Sequence, residues 1–294
     1  MTRKNVPVDV RTVTSFDGTR LTYHVAGNPD GPPMVLANGL GGNIRAWRHL
    51  IDWFGPENRI VSWDYRGLYA SEPAPSVDAY EVQDHVRDMA AVLDAECIEA
   101  PTVLGWSMGV QVAFEFHRMH PDRARAFVAI NGTCGSPFRT AFRSDLLERF
   151  MPGVLDIVRR NWTLASGVAP HVAGSRAAVW ALRQIGLLGH TADVELFMEL
   201  ASEYVRLDFG AYTEIFERLG NHDAWDVLES IRVPVLVIAG ERDLFTPASV
   251  ARRMADSLPD AELFVVPSAT HYVPLEFPEL LALRIEKFLR THPH

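Results

Sequence analysis

The sequence predicts an α/β fold: a mostly parallel, doubly wound sheet with helices on both faces and a helical cap inserted into the series. Short continuous apolar runs alternate with helical stretches, which is typical of a parallel sheet buried on both faces. This alternation stops between about residues 133 and 225, where only helical periodicity is found. The chain has 294 residues, 48% of them hydrophobic, which is enough for a large core.

The first part of the chain is predicted to form a hairpin followed by two buried strands and two helices. The hairpin follows from alternating apolar and polar residues on both sides of Asp17 and Gly18, a pair that favours a tight turn. The second helix has apolar residues at the spacing of one helical face. Strands are predicted at residues 8–15, 21–25, 34–37 and 59–63, and helices at residues 44–54 and 80–96.

The same alternation continues on both sides of the helical block. Strands are predicted at residues 101–104, 126–130, 233–239 and 262–266, with helices at residues 110–119, 249–257 and 278–289. Inside the block, helices are predicted at residues 145–162, 176–188, 193–207 and 211–219. A block of helices within a strand–helix series predicts an insertion over one end of the sheet. We therefore divide the chain into an α/β core, residues 1–132 and 226–294, and a helical cap, residues 133–225.

Composition and charge exclude several functional classes. Lys and Arg total 28 against 37 for Asp and Glu, and the net charge of −9 gives no general attraction to nucleic acid or anionic lipid. No apolar stretch is long enough to span a bilayer, and the first residues contain no apolar leader. Two cysteines do not make a disulfide scaffold. We expect a soluble cytoplasmic protein without nucleic-acid or membrane partners; the sequence does not indicate its oligomeric state.

Residues 105–109, Gly-Trp-Ser-Met-Gly, are the most informative segment. They follow an apolar strand and lead directly into a helix, which is the setting of a nucleophile elbow. The alternative is a glycine-flanked turn before an ordinary helix. In the elbow interpretation, Ser107 lies on a tight turn at the carboxyl end of the sheet, beside a helix N-terminus that favours developing negative charge.

A serine hydroxyl is a weak nucleophile unless a base takes its proton and a third group orients that base. Asp243 follows the strand at residues 233–239, and His271 follows the last strand, so both should reach the sheet edge that carries Ser107. The chain order Ser, Asp, His suits this architecture. Asp243 could instead cap the next helix, and Glu241 is the rival acid.

Together these segments make nearly the whole chain resemble the α/β-hydrolase family, in its esterase-like serine hydrolase branch with a helical cap. The matching segments are residues 105–109 (nucleophile elbow), 240–247 (acid loop), 270–278 (histidine segment), 38–42 (oxyanion loop) and 64–71 (turn after the fourth strand). The resemblance implies that the backbone N–H groups of Leu40 and Met108 form the oxyanion hole. Each such donor typically contributes a few kcal/mol to the transition state.

The chain departs from the family pattern at several positions. Asn38 stands where many relatives have histidine, and Tyr69 and Thr270 stand where relatives usually have glycine. None of these changes removes a predicted catalytic group. Relatives that are dehalogenases or epoxide hydrolases have aspartate at the elbow, so Ser107 favours acyl transfer. Relatives that cleave carbon–carbon bonds often have tryptophan where this chain has Tyr272.

The predicted cap is rich in large apolar side chains. Its aromatic and methionine residues include Met151, Trp162, Trp180, Phe197, Met198, Tyr204, Phe209, Tyr212 and Phe216. About three quarters of them are expected to form the core of the cap, and the others to line an apolar pocket above Ser107. This predicts a medium-sized, uncharged and partly apolar substrate.

The predicted function is therefore hydrolysis of carboxylic esters through an acyl-enzyme, with the triad Ser107, Asp243 and His271. Lactones, amides of the aminopeptidase type and carbon–carbon substrates are alternatives within the same fold. A non-catalytic protein that binds a small molecule is the alternative from another class. The sequence contains no dinucleotide or Walker motif and no metal-ligand pattern, so we predict neither metal nor cofactor.

Overall fold

The computed structural model describes residues 6–140 and 174–292. The strands are β1 Val8–Thr14, β2 Arg20–Gly27, β3 Pro33–Ala37, β4 Arg59–Trp63, β5 Thr102–Trp106, β6 Ala126–Ile130, β7 Val235–Gly240 and β8 Ala261–Val266. The α-helices within the described ranges are α1 Arg48–Phe54, α2 Val82–Ala95, α3 Met108–Met119, α4 Pro137–Thr140, α5 Arg176–Gln184, α6 Val194–Tyr204, α7 Phe209–Asn221, α8 Ala248–Ser257, α9 Val273–Glu276 and α10 Pro278–Thr291. In the same ranges, 3-10 helices cover Ile44–Trp47 and Trp225–Ser230. The helix predicted at residues 145–162 lies outside the described residues.

The eight strands form one sheet in the order β1-β2-β4-β3-β5-β6-β7-β8. Strand β2 is antiparallel to β1 and β4, and all other neighbours are parallel. The mostly parallel α/β sheet predicted from the sequence is therefore confirmed. Because strands β3 to β8 run in the same direction, the loops after β3, β5, β6, β7 and β8 all leave from one edge of the sheet.

Helices cover both faces of this sheet. Along β5, Val103 packs into one hydrophobic cluster and Leu104 into the other, as expected when successive side chains point to opposite faces. Helices α2 and α3 contribute to the first cluster, for example through Phe114. Helices α1 and α10 contribute to the second, for example through Phe288. The central strands are buried from end to end, so the residues at their carboxyl ends are held on a rigid base.

Helices α5, α6 and α7 lie in the chain between β6 and β7, and no strand occurs among the described residues of this interval. We call these three the inserted helices. Whether they form a separate cap with the boundaries given above stays a prediction. In the described parts of the chain, no helix combines the length and apolar character needed to cross a membrane.

Helix α6 is attached to the core through charged and polar contacts. Glu203 accepts a hydrogen bond of 2.7 Å from the Asn43 side chain and lies 3.3 Å from the Arg45 guanidinium. Glu199 pairs with Arg48 at 2.7 Å, and Arg45 also contacts it. These contacts join the polar side of α6 to the segment that follows strand β3. The same helix is therefore left with its apolar side facing the interior.

Candidate active site

Ser107 occupies a sharp turn between strand β5 and helix α3. Its backbone angles are φ 55° and ψ −116°, a left-handed conformation that is strained for a residue with a side chain. A Cβ atom at Gly105 would lie 2.3 Å from the carbonyl oxygen of Gly109, and one at Gly109 would lie 2.0 Å from the Ala37 carbonyl oxygen. At both positions the neighbouring backbone leaves no room for a side chain, so glycine is required. The geometry is the strained strand–turn–helix of a nucleophile elbow.

Replacing Gly109 with alanine is expected to destabilise the whole fold, because the new methyl group meets backbone that cannot move aside. The free energy of unfolding should fall by about 3 kcal/mol, the upper end of the usual cost of overpacking. Denaturant titration followed by circular dichroism measures it. Gly210→Ala is the matched control, since its Cβ meets only the tip of the Asp208 side chain at 3.0 Å. Equal stability of the two variants would contradict this account of the elbow.

The structure brings the three predicted triad side chains together. The Ser107 hydroxyl lies 2.9 Å from Nε2 of His271. Nδ1 of the same ring lies 2.8 Å from Oδ2 of Asp243. If Nδ1 carries the proton and donates to the carboxylate, Nε2 is left as the acceptor for the serine hydroxyl. This is the tautomer that a general base requires, and both distances are compatible with it.

Asp243 is only 4% exposed and its carboxylate is fully hydrogen-bonded. Oδ1 accepts from the backbone N–H groups of Phe245 at 2.8 Å and Thr246 at 2.9 Å. Oδ2 accepts from the Thr246 hydroxyl at 2.7 Å and from Nδ2 of Asn131 at 2.8 Å. Burial alone would raise the pKa of Asp243, but the charge of His271 and these hydrogen bonds outweigh it and lower that pKa. The carboxylate is thus kept ionised beside the imidazole.

The rival interpretations of the acid loop do not fit this geometry. Helix α8 begins at Ala248 with Pro247 at its N-cap, so Asp243 is not the helix cap. The Glu241 side chain is exposed and accepts a hydrogen bond of 2.9 Å from the backbone N–H of Ser268. Asp243, and not Glu241, is therefore the carboxylate that contacts His271.

Asn131 is a site residue that sequence reasoning missed. Its neutral amide excludes it as the acid of a triad. In the structure it has a positive φ of 45° at the end of β6, and its Nδ2 donates to Asp243 and to the Thr270 carbonyl at 3.2 Å. It therefore ties the acid loop to the histidine loop. Its position after a strand of the same sheet was the one sequence signal that could have indicated this.

The loop that carries His271 is fixed on two sides. Buried Glu276 accepts hydrogen bonds from the Thr270 backbone N–H at 2.7 Å, from the Thr270 hydroxyl at 2.5 Å, and from the Gly189 N–H at 2.7 Å. On the other side, Nε1 of Trp106 donates to the His271 carbonyl at 3.1 Å. The Thr270 hydroxyl therefore adds a contact to this loop that glycine, which the family resemblance implies at this position, could not make.

The loop after β3 forms a tight turn beside Ser107. The Gly42 N–H donates to the Gly39 carbonyl at 2.8 Å, and Gly41 has φ 71°, the pattern of a type II turn with glycine at its third position. Among the described residues, neither Leu40 N–H nor Met108 N–H donates to a backbone carbonyl. Leu40 lines the same cavity as Ser107, and Met108 begins helix α3. Both N–H groups are therefore available to a bound group at this point.

A cavity of about 490 Å³ opens above Ser107 and His271. Its described lining comes from the β3 loop, the elbow, helices α4, α6, α7 and α9, and the acid and histidine loops. The main apolar contributors are Leu40, Trp106, Phe138, Phe197, Leu200, Val205, Phe216, Leu219, Phe245 and Leu275. Residues with polar groups in the lining are Ser107, His271, Thr246, Tyr204, Tyr212 and Tyr272. This volume suits a small molecule, and the lining suits one with a substantial apolar part.

Comparison with known proteins identifies the family. The family model described as "Alpha/beta hydrolase family" matches residues 34–284, which is most of the chain. The chain belongs to the alpha/beta hydrolase family. A relative from Azorhizobium caulinodans named "Putative carbamate hydrolase RutD" is 26% identical over 254 residues, covering 85% of this chain and 88% of the relative.

Solved structures of other hydrolases share the fold. The enol-lactonase from Burkholderia xenovorans LB400 superposes with a TM-score of 0.76 at 22% identity, covering 95% of this hydrolase and all of that chain (100%). The esterase RhEst1 from Rhodococcus sp. ECU1013 gives a TM-score of 0.71 at 21% identity, covering 97% and 99%. At these identities the likeness shows the fold, which agrees with the doubly wound sheet described above.

The large apolar residues predicted for the cap lie at the cavity, in a buried cluster and at the surface. Met151 and Trp162 lie outside the described residues. Of the other seven, four line the cavity of this hydrolase, namely Phe197, Tyr204, Tyr212 and Phe216. Trp180 is instead 65% exposed at the surface. Phe197 also belongs to a buried hydrophobic cluster, against which Met198 packs. How the nine side chains divide between core and pocket stays a prediction, while α6 and α7 place apolar side chains against the cavity.

Proposed function

We propose that this hydrolase cleaves carboxylic esters through an acyl-enzyme formed on Ser107. The observation that carries the proposal is the continuous hydrogen-bonded series Ser107–His271–Asp243 at the base of an apolar cavity. A base at 2.9 Å from the hydroxyl converts a weak nucleophile into one that can attack a carbonyl. The ionised, buried carboxylate then stabilises the imidazolium that forms.

In the proposed acylation step, Ser107 Oγ attacks the ester carbonyl carbon while its proton passes to Nε2 of His271. The carbonyl oxygen becomes an oxyanion and accepts hydrogen bonds from the N–H groups of Leu40 and Met108. The C–O bond to the alcohol then breaks, and the departing alkoxide takes the proton from Nε2. The products of this step are the free alcohol and an ester of Ser107.

Deacylation repeats the same chemistry with water. Water attacks the acyl carbonyl carbon and gives a proton to Nε2, and the same two N–H groups bind the second oxyanion. When the bond to Ser107 breaks, Nε2 returns its proton to Oγ and the carboxylic acid leaves. No group other than the triad and the two backbone donors is required for either step.

The expected substrate is a medium-sized, uncharged and partly apolar ester. The cavity lining supports this, as do the activities named for two proteins of the same fold, an esterase and an enol-lactonase, since a lactone is a cyclic ester. The proposal includes a cytoplasmic location and a small-molecule partner, and it assigns no metal and no cofactor to the reaction. In the described part of the chain, no cluster of three or more His, Cys, Asp or Glu side chains could hold a metal ion.

A fluorophosphonate probe tests the proposal directly, because it reacts with an activated serine and leaves a stable phosphonyl group. The expected result is one adduct per chain, which peptide mapping places on Ser107. Hydrolysis of p-nitrophenyl esters of increasing chain length, measured beside lactones, carbamates and aminoacyl anilides, then gives the substrate class. Absence of an adduct on folded protein, or turnover of anilides alone, would overturn the ester proposal.

The inserted helices are expected to control substrate choice and not the chemical step, since the triad lies outside them. Phe216→Ala enlarges the cavity and should change the kcat/KM ratio of octanoate to acetate esters by about 10- to 100-fold, or ~1–3 kcal/mol in relative transition-state binding. Trp180→Ala, an aromatic change on the exposed side of α5, is the control and should leave that ratio unchanged. A uniform loss on all esters in folded Phe216→Ala protein would mean that α7 contributes to catalysis itself.

A further inference from the structure

Tyr69 stands out because its backbone is strained at a position where glycine would be relaxed. Its φ is 54°, in the left-handed region that aromatic residues rarely adopt. A residue held in such a conformation points to a role that the surrounding structure enforces. Two neighbouring hydrogen bonds hold this loop, since the Ala70 N–H donates to Asp64 at 3.2 Å and its carbonyl accepts from the Thr22 hydroxyl at 2.9 Å.

The side chain of Tyr69 reaches across to the turn after strand β3. Its hydroxyl donates to the carbonyl oxygen of Gly41. A second phenol from the same loop, that of Tyr65, donates to the Asn38 carbonyl at 2.7 Å. The two tyrosines therefore hold the turn at both ends, on either side of Gly39 and Leu40. Burial raises the pKa of Tyr69, so the phenol stays protonated and remains a donor.

Gly41 is constrained from a second direction. A Cβ atom at this position would lie 2.3 Å from the ring of Tyr204, so helix α6 packs directly on the glycine. This packing limits the position of Gly41 but leaves the rotation of its peptide group free. The hydrogen bond from Tyr69 holds the Gly41 carbonyl and so fixes the orientation of that peptide group.

We propose that Tyr69 is a positioning residue for the proposed reaction: by holding the Gly41 carbonyl, it fixes the turn that presents the Leu40 N–H to the oxyanion. This inference rests on the function proposed above. An oxyanion donor is effective only when its direction is set before the reaction, because a donor that must reorient loses much of its advantage. Tyr69 therefore acts on the transition state through the turn and touches no reacting atom.

Tyr69→Phe removes the hydroxyl and keeps the ring, so the variant is expected to fold. We expect the rate of acylation by a p-nitrophenyl ester to fall about 10- to 100-fold, less than the 100- to 1000-fold typical when an oxyanion donor is deleted. The KM should change by no more than about twofold. Affinity for a trifluoromethyl ketone, whose adduct with serine carries an oxyanion, should fall by the same factor as kcat/KM.

Tyr80→Phe is the matched control. Its hydroxyl also lies in the segment after β4, but it accepts from the Ala74 N–H at 3.1 Å, and among the described residues it has no hydrogen bond to the turn. This variant should keep the acylation rate and the inhibitor affinity of the wild type. A merely structural role for Tyr69 would lower the melting temperature and leave both readouts in place.

The kinetics of Tyr69→Phe and the fluorophosphonate reaction of the wild type together decide the inference. A Tyr69→Phe protein that acylates at the wild-type rate, or that loses activity only through a higher KM, overturns it. A parallel loss of acylation rate and ketone affinity, absent from Tyr80→Phe, supports it. The reaction of the wild-type protein with the fluorophosphonate separates this inference from the proposed function. An adduct on Ser107 supports the proposed function even if the inference about Tyr69 fails. Absence of the adduct overturns both the proposed function and the inference.

Discussion

Ser107→Ala is expected to abolish ester turnover while leaving the fold intact. Without the hydroxyl no acyl-enzyme can form, and comparable triad enzymes lose on the order of 10⁶-fold in kcat when the serine is removed. The melting temperature should stay close to that of the wild type, because the only hydrogen bond described for the Ser107 hydroxyl is the one to His271. Initial rates with p-nitrophenyl butyrate, measured beside a circular dichroism melt, give both quantities.

The control for this change is Ser268→Ala. Ser268 also has a positive φ, 61°, and also lies in a loop at the end of a strand, but it is exposed and does not line the cavity. This variant should keep full activity and form its fluorophosphonate adduct on Ser107 at the wild-type rate. If folded Ser107→Ala protein retained more than a few per cent of the wild-type rate, the assignment of the nucleophile would be wrong.

The second large effect is expected for Asp243→Asn, with a loss of about 10⁴-fold in kcat. If the N–H₂ group of the new amide took the place of Oδ1, it would oppose the backbone N–H groups of Phe245 and Thr246, which is repulsive. We therefore expect it to take the place of Oδ2 and to donate to Nδ1 of His271. The ring would then favour the tautomer with its proton on Nε2, which cannot accept from Ser107. Steady-state kinetics at neutral pH measure the loss.

Glu241→Gln is the comparison for this variant. Glu241 lies two residues before the acid in the same loop, and its side chain contacts the Ser268 backbone instead of His271. We expect its activity to stay within about threefold of the wild type, in keeping with the small effects of surface substitutions. If Glu241→Gln were the more damaging change, the wrong carboxylate would have been assigned to the triad.

Much of the fold could be predicted because the informative signals are local. Apolar runs located each strand within about two residues, and the elbow was evident because Gly105 and Gly109 flank a serine where a strand meets a helix. Asp243 and His271 could be placed as soon as the sheet was taken as parallel, since all the loops after its strands then meet at one edge. The distances between these side chains follow from that topology.

The missed features depend on contacts between distant segments. The short helices α4 and α9 have too few residues to show helical periodicity, so the sequence did not predict them. Asn131 and Tyr69 act through hydrogen bonds to residues 112 and 28 positions away. Such partners become visible only when loops are packed together. Likewise, nothing in the amphipathic pattern of α6 shows whether its apolar side faces a protein core or a cavity.

The helical segment between β6 and β7 has a consequence for folding during synthesis on the ribosome. Strand β6 ends at Ile130 and its partner β7 begins at Val235, so the order of synthesis separates two neighbouring strands by roughly 100 residues. At about 5–20 residues per second, β6 emerges several seconds or more before β7 can pair with it. During that interval a nascent sheet ends in an unpaired apolar strand, which is a template for association with other chains. Soluble yield should therefore depend on translation speed and chaperone supply.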